Sequence, residues 1–248
     1  MVAKILNFRK NLNSKWSVLF QDKSFRVSFF FSIFLFFFGQ YVMMCAAQYN
    51  DEMFQVVTVG DIILDNIPTV NLSFLFTWGV WIILIPTAFY AVLVRPELAP
   101  WTLKTYGLFA LVRAGFILLT HLGPPEGLIY LQDPSLMDVD GIFARYFFTN
   151  DLFFSGHVGN AFLGALIFKD FKFKWYCLIG SVVMAFTVLL MHVHYSIDVF
   201  GAYFITYGIY AFSDRIFHRW TSKFKEIVKK HTAIDLKPSY VAEGELAE

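Results

Sequence analysis

Asp151-Leu152-Phe153-Phe154-Ser155-Gly156-His157 and His192-Val193-His194-Tyr195-Ser196-Ile197-Asp198 are two short polar patches, and the sequence between them forms two apolar runs that each fit a bilayer. The link between those runs is short and basic, with Lys169, Lys172 and Lys174. If both runs are helices that cross and return, the patches meet at one membrane face. The rest of the chain bears on whether that happens, and on which face.

Composition agrees with a membrane protein. Soluble domains are about 45–50% apolar and about 25% charged. This chain of 248 residues is 57% hydrophobic and only 16% charged, with 31 phenylalanines. Apolar segments run from Phe29 to Ala47, Phe74 to Val94, Leu103 to Leu122, His157 to Phe168, Trp175 to His192 and Ile197 to Ile216. The fourth is short, and Tyr146 to Phe154 would extend it or dip into the interface. Backbone groups in lipid must be satisfied internally, and uninterrupted runs of this length are helices rather than barrel strands. The expected fold is therefore all-α: a six-helix transmembrane bundle over residues 29–216, preceded by a basic segment, 1–28, and followed by a tail, 217–248. A cleaved signal peptide ending near Cys45-Ala46-Ala47 is the competing reading of the first run, but the basic leader and the apolar core are both longer than such a signal needs.

Charge distribution orients the bundle. With the N-terminus inside, 18 Lys and Arg fall in inside segments and one, Arg145, in the two outside loops, which also carry nine acidic residues. Both termini are thus expected in the cytosol, and the polar patches on the extracytoplasmic face, outer or lumenal, of a multi-pass protein. The basic stretch after Arg215 reads equally as an amphipathic segment on anionic lipid or as an ordinary positive-inside flank. A net charge of +1 gives no reason to expect nucleic acid as a partner. Cys45 and Cys177, far apart in apolar runs, offer neither a disulfide framework nor a metal site.

Each patch has a plain reading and a chemical one. Ser155 can cap the fourth helix, with Gly156 as a permissive turn residue. His194 and Asp198, four apart, can be an ordinary hydrogen-bonded pair on one helix face. Ionisable residues at membrane depth are costly, however, and two such patches at one face suggest a site. A histidine is nucleophilic near neutral pH, and a carboxylate fixes its tautomer and stabilises its cation. His194 is the expected nucleophile and Asp198 its orienting partner. A second histidine, His157, would protonate a leaving alkoxide and later deprotonate the incoming hydroxyl.

At these residues the sequence resembles the sphingomyelin synthase-like branch of the type 2 phosphatidic acid phosphatase (PAP2) superfamily. Asp151, Ser155, Gly156 and His157 match its third motif, with Val158 in place of Thr. His192, His194, Tyr195, Asp198, Val199, Ala202 and Tyr203 match its fourth, with Ser196 in place of Thr. Arg113, Thr120 and the proline pair after it look like the second motif, although His121 and Gly123 depart from it. Asp61-Ile62-Ile63-Leu64-Asp65-Asn66-Ile67-Pro68 looks like the segment before the second span. Thr149 and Asn150 replace the Cys and Gly that often precede the third motif. Phe89 stands where plain phosphatases of the superfamily carry a Lys ahead of Arg95-Pro96.

The resemblance implies the same roles for His157, His194 and Asp198, and a transfer that needs no metal or other cofactor. His192, His194 and Asp198 as metal ligands is the disfavoured alternative. Asp151 can orient His157 or bind a cationic headgroup, and Glu126 is a second candidate for the latter. Tyr195 can hold a quaternary ammonium by cation–π attraction. Ser155 belongs to the same substrate-binding set. Arg113, mid-span, binds phosphate or pairs with an intramembrane carboxylate. The expected activity moves a phosphocholine- or phosphoethanolamine-type headgroup from a glycerophospholipid donor to ceramide or diacylglycerol through a phosphohistidine. A hydrolase using water on the same residues, and a non-catalytic membrane protein binding a lipid or ion, are the alternatives. Homo-oligomerisation is left open.

Overall fold

The computed structural model describes residues 2–53, 56–129 and 151–235. Among the described residues there are seven α-helices and no strand: α1 Val2–Gln21, α2 Lys23–Met53, α3 Ser73–Phe89, α4 Ala99–Leu119, α5 Gly156–Ile167, α6 Phe171–Leu190 and α7 Ser196–Asp235. A π-helical turn, Tyr90–Val94, continues α3 just past Pro86, and a short turn, Pro96–Leu98, leads into α4. Proline lacks the N–H that the ladder needs, so a local change of helical pitch beyond it is expected.

Each of the six apolar segments falls on a helix. Among the described residues, four stretches are long and apolar enough to cross a membrane: Lys23–Glu52, Ser73–Val94, Pro96–Leu119 and Phe171–Leu190. The six-span count is thus narrowed at two places. Helix α5 has 12 residues, about 18 Å at 1.5 Å per residue, well short of a hydrocarbon core of roughly 30 Å. Its expected extension from Tyr146 to Phe154 is not helical from Asp151 to Ser155, and residues 146–150 lie outside the described residues, as do Arg145 and the end of the acidic tail. Helix α7 is long, with 40 residues, but tyrosines, hydroxyls, Asp198 and Asp214 dilute its apolar half.

Helix α2 turns Phe30, Phe34, Phe37 and Tyr41 outward, the surface a helix gives to lipid rather than to water. Its inner stripe meets α4 backbone to backbone. A Cβ on Gly39 would stand 2.4 Å from the Gly107 carbonyl oxygen, and one on Gly107 would stand 2.7 Å from that of Leu35. Small residues that allow such close approach are the usual device for joining helices where burial gives no advantage over lipid. The main core lies between α3, α4, α5, α6 and α7, around Phe109, Phe154, Val158, Leu163, Met184 and Ala202.

Past its apolar half α7 continues as the basic segment, whose Phe224 and Val228 pack on Leu19 of α1 and Phe25 at the start of α2. Lys223 Nζ reaches Asp22 Oδ2 at 2.6 Å across that contact. Two further cations at this end of the bundle have partners in the protein. Arg95 meets Glu97 at 2.7 Å and Asp170 at 3.0 Å, and buried Lys104 donates to Ser28 Oγ at 2.6 Å beneath the rings of Phe217 and Trp220.

Candidate active site

The other end of the bundle collects the start of α5, the end of α6 and the start of α7. Helix α6 stops at Leu190, so His192 and His194 stand in the turn that follows rather than on the fifth apolar helix as expected, and Asp198 lies in the first turn of α7. The chain turns sharply there because His192 takes a left-handed φ of 53°, a conformation in which histidine is among the better-tolerated non-glycine residues.

That break changes the origin of the His194–Asp198 pair. The two are four apart but do not share a helix face. Asp198 is the third residue of α7, and its Oδ2 accepts the N–H of Tyr195, the residue just before the helix, at 2.9 Å. This is the reach-back half of a capping box. The same oxygen lies 3.4 Å from His194 Nδ1, and the two side chains are 0% and 6% exposed. At this distance the two make a close electrostatic contact and not a hydrogen bond; a carboxylate oxygen facing Nδ1 favours the tautomer with the proton there, with Nε2 as the free nitrogen.

Helix α5 begins beside it. Ser155 N–H donates to the Asp198 carbonyl at 3.1 Å, tying the two helix starts together. Ser155 occupies the cap position, yet its hydroxyl makes no capping bond. His157, in the first turn, is partly exposed and stacks on Phe76 with ring centres 4.0 Å apart. It lies within electrostatic reach of both His194 and Arg113.

Arg113 holds the segment before α5. It donates from Nη1 to Asp151 Oδ2 at 2.7 Å, from Nη2 to the Asp151 carbonyl at 3.2 Å and from Nε to the Phe154 carbonyl at 2.8 Å. A Cβ on Gly156 would stand 3.2 Å from the guanidinium carbon, so glycine leaves room for the clamp. The geometry engages Arg113 as a link to a carboxylate, and it turns one Asp151 oxygen to Arg113 rather than to His157.

Tyr195 and Glu126 are taken up elsewhere. The Tyr195 ring is 2% exposed against Leu64 and Leu152. Its hydroxyl donates to the Gly123 carbonyl at 2.8 Å and accepts the Val59 N–H at 3.2 Å, so it ties down two loops instead of presenting a face to a cation. The Glu126 side chain is exposed, and its carbonyl accepts a bond from His192 Nδ1 at 2.9 Å.

Asp61 had no assigned role in the sequence. Both its oxygens accept from Ser196, from N–H at 2.6 Å and from Oγ at 2.8 and 3.0 Å, while Oδ1 also accepts the N–H groups of Ile63 and Leu64 at 2.9 and 3.2 Å. Burial pushes its carboxyl up, but the Ser196 and backbone donors outweigh that and hold it below the usual carboxylate range. Its signals in the sequence were its place in an acidic loop and in the segment that resembles the one before the family's second span; nothing local pointed to Ser196, 135 residues away.

Among the described residues, five buried side-chain atoms at this end have no hydrogen-bond partner in the protein: Asp151 Oδ1, Ser155 Oγ, His192 Nε2, His194 Nδ1 and Asp198 Oδ1. Buried polar groups are nearly always paired, so such a concentration marks a place prepared for something polar. Among the described residues no group of three or more His, Cys, Asp and Glu side chains is disposed to hold a metal ion.

No curated protein matches the chain. Residues 149–215, which contain both polar patches and the two helix starts, match the family model described as PAP2 superfamily C-terminal. The stretch on which the fold turns is therefore similar to the C-terminal part of that superfamily.

Proposed function

We propose that this chain is an integral membrane lipid phosphotransferase that moves a phosphocholine- or phosphoethanolamine-type headgroup from a glycerophospholipid to ceramide or diacylglycerol. The observation that carries the reading is the buried His194–Asp198 contact of 3.4 Å beside the start of α5, whose first turn bears His157. The match over residues 149–215 supports phosphoryl chemistry at those residues. The synthase-like branch, rather than a plain phosphatase, rests on the motif resemblance and on Phe89 in place of a phosphate-binding Lys.

In this reading His194 Nε2 attacks the donor phosphorus, a P–N bond forms, and the P–O bond to diacylglycerol breaks. His157 gives its proton to the departing alkoxide. The hydroxyl of the acceptor lipid then attacks the phosphohistidine, loses its proton to His157, and releases His194. Asp198 keeps the Nδ1 proton in place and stabilises the imidazolium. The opening N–H groups of α5 and the Ser155 hydroxyl suit the phosphoryl oxygens, since the first donors of a helix lack internal partners and favour anions. Arg113 adds positive potential behind them while remaining paired with Asp151.

The proposed topology has six crossings, both termini in the cytosol and the site on the extracytoplasmic face. The asymmetry of basic residues supports it. The short α5 crosses in this scheme as a helix surrounded by α3, α4, α6 and α7, its non-helical lead-in satisfied by Arg113 and Asp198 rather than by lipid.

Purified protein incubated with headgroup-labelled phospholipid, with and without ceramide or diacylglycerol, tests the reading. Label should move to the added lipid alcohol. Label that appears only in water-soluble product, whatever acceptor is present, would replace the transferase with a hydrolase. Bound lipid with no turnover under any condition would leave a non-catalytic binder.

A further inference from the structure

His192 is buried, at 6% exposed, and stands two residues before His194, so their Cα atoms are at most about 7.6 Å apart at 3.8 Å per trans peptide. Its Nδ1 lies 2.9 Å from the Glu126 carbonyl. A carbonyl can only accept, so Nδ1 carries the proton, and in the neutral ring Nε2 is a bare acceptor. That atom is buried and has no partner in the protein. The ring cannot simply be turned round to satisfy it, because the exchange would break the Glu126 bond. Its place is fixed from both sides: by the left-handed backbone at His192 and by Gly127, where a Cβ would stand 3.3 Å from Nδ1.

A loop anchor needs only Nδ1. The second nitrogen, a buried acceptor two residues before His194, matches a ligand that donates. We propose that His192 is a substrate-positioning residue whose Nε2 accepts a hydrogen bond from a hydroxyl or ammonium group of the bound lipid. That the ligand is a lipid rests on the function proposed above; the acceptor nitrogen rests on geometry alone. A lipid alcohol offers a hydroxyl, an ethanolamine headgroup offers N–H, and a choline headgroup offers neither.

His192→Asn separates anchor from acceptor. The asparagine amide nitrogen is bonded to Cγ as Nδ1 is, so it can keep the Glu126 bond, and asparagine tolerates the left-handed backbone. What it lacks is an atom at Nε2. Binding of short-chain diacylglycerol, phosphatidylethanolamine and phosphatidylcholine is measured by calorimetry in a His194→Ala background, with and without His192→Asn, alongside the thermal midpoint. We expect an unchanged midpoint, roughly five- to tenfold weaker binding of diacylglycerol or of phosphatidylethanolamine, as for one lost hydrogen bond, and unchanged binding of phosphatidylcholine. Whichever of the two weakens identifies the donor. Unchanged affinity for all three lipids, equal loss for all three, or a lowered midpoint that His192→Gln restores would overturn the proposal. Wild-type protein that binds these lipids but turns none over would instead sink the transferase reading and leave this one standing.

Discussion

Two helices begin side by side at the site, and they begin differently. Helix α7 is closed by carboxylates: Asp198 takes the Tyr195 N–H and Asp61 takes the Ser196 N–H and hydroxyl. Helix α5 has a serine in the cap position whose hydroxyl caps nothing, and a clamp of Arg113 behind it. Helix starts carry partial positive charge and unsatisfied donors. At α7 those are spent on the protein's own acids, which fixes His194. At α5 they remain open to an anion. The pair separates the two needs of phosphoryl transfer, a rigid nucleophile and a receptive phosphate site.

The largest effects should come from the two histidines. His194→Ala removes the nucleophile, and headgroup transfer should fall by on the order of 10³ or more, with no acid-labile phosphoprotein trapped. His157→Ala should cost about 10² to 10⁴, the usual worth of general acid–base catalysis, and should still allow the labelled phospholipid to bind. Full turnover in both variants would end the assignment. Asp198→Asn is the next step down. The amide can still accept the Tyr195 N–H but carries no charge to stabilise the imidazolium, so transfer should drop by at least tenfold while the thermal midpoint moves little. A large loss of midpoint with normal residual activity would make Asp198 a cap and nothing more.

Much of this was legible in the sequence. The six apolar runs, the positions of both patches and the closeness of His194 to Asp198 followed from composition and spacing. The reason for that closeness did not, because an i, i+4 spacing suggests one helix, whereas the chain breaks at His192 and restarts at Ser196. The roles of Tyr195 and Asp61 were hidden for a related reason. Both are set by partners far along the chain, Val59 and Gly123 for one and Ser196 for the other, and periodicity carries no such information. Arg113 was readable as a costly buried charge, but only coordinates could name Asp151 and the Phe154 carbonyl as its partners.

Asp61 tests whether the closing of α7 matters. Asp61→Ala leaves the Ser196 N–H without its acceptor, which should cost about 1–3 kcal/mol of stability and loosen the His194 turn. The effect should depend on pH in a definite direction. The folded carboxyl titrates below its unfolded value, so its contribution is fully present above the ordinary aspartate range, near about 3.9, and is lost as pH falls through the depressed folded value. Thermal midpoints of wild type and Asp61→Ala should therefore differ at neutral pH and converge in strong acid. A gap that stays constant across that range would mean that Asp61 acts by shape and not by charge.

Ser155→Ala should have the smallest effect on stability, and for that reason it is the finest probe of the open helix start. Replacing a capping serine with alanine ordinarily costs about 1 kcal/mol. Here the hydroxyl caps nothing and is buried without a partner, so its removal takes away an unsatisfied group rather than a bond. The midpoint should hold or rise slightly. If the hydroxyl serves the phosphoryl group, the variant should bind labelled phospholipid several-fold more weakly while diacylglycerol, which has no phosphate, binds as before. A destabilised Ser155→Ala with unaltered phospholipid binding would place the serine with the caps of α7 and erase the distinction between the two helix starts.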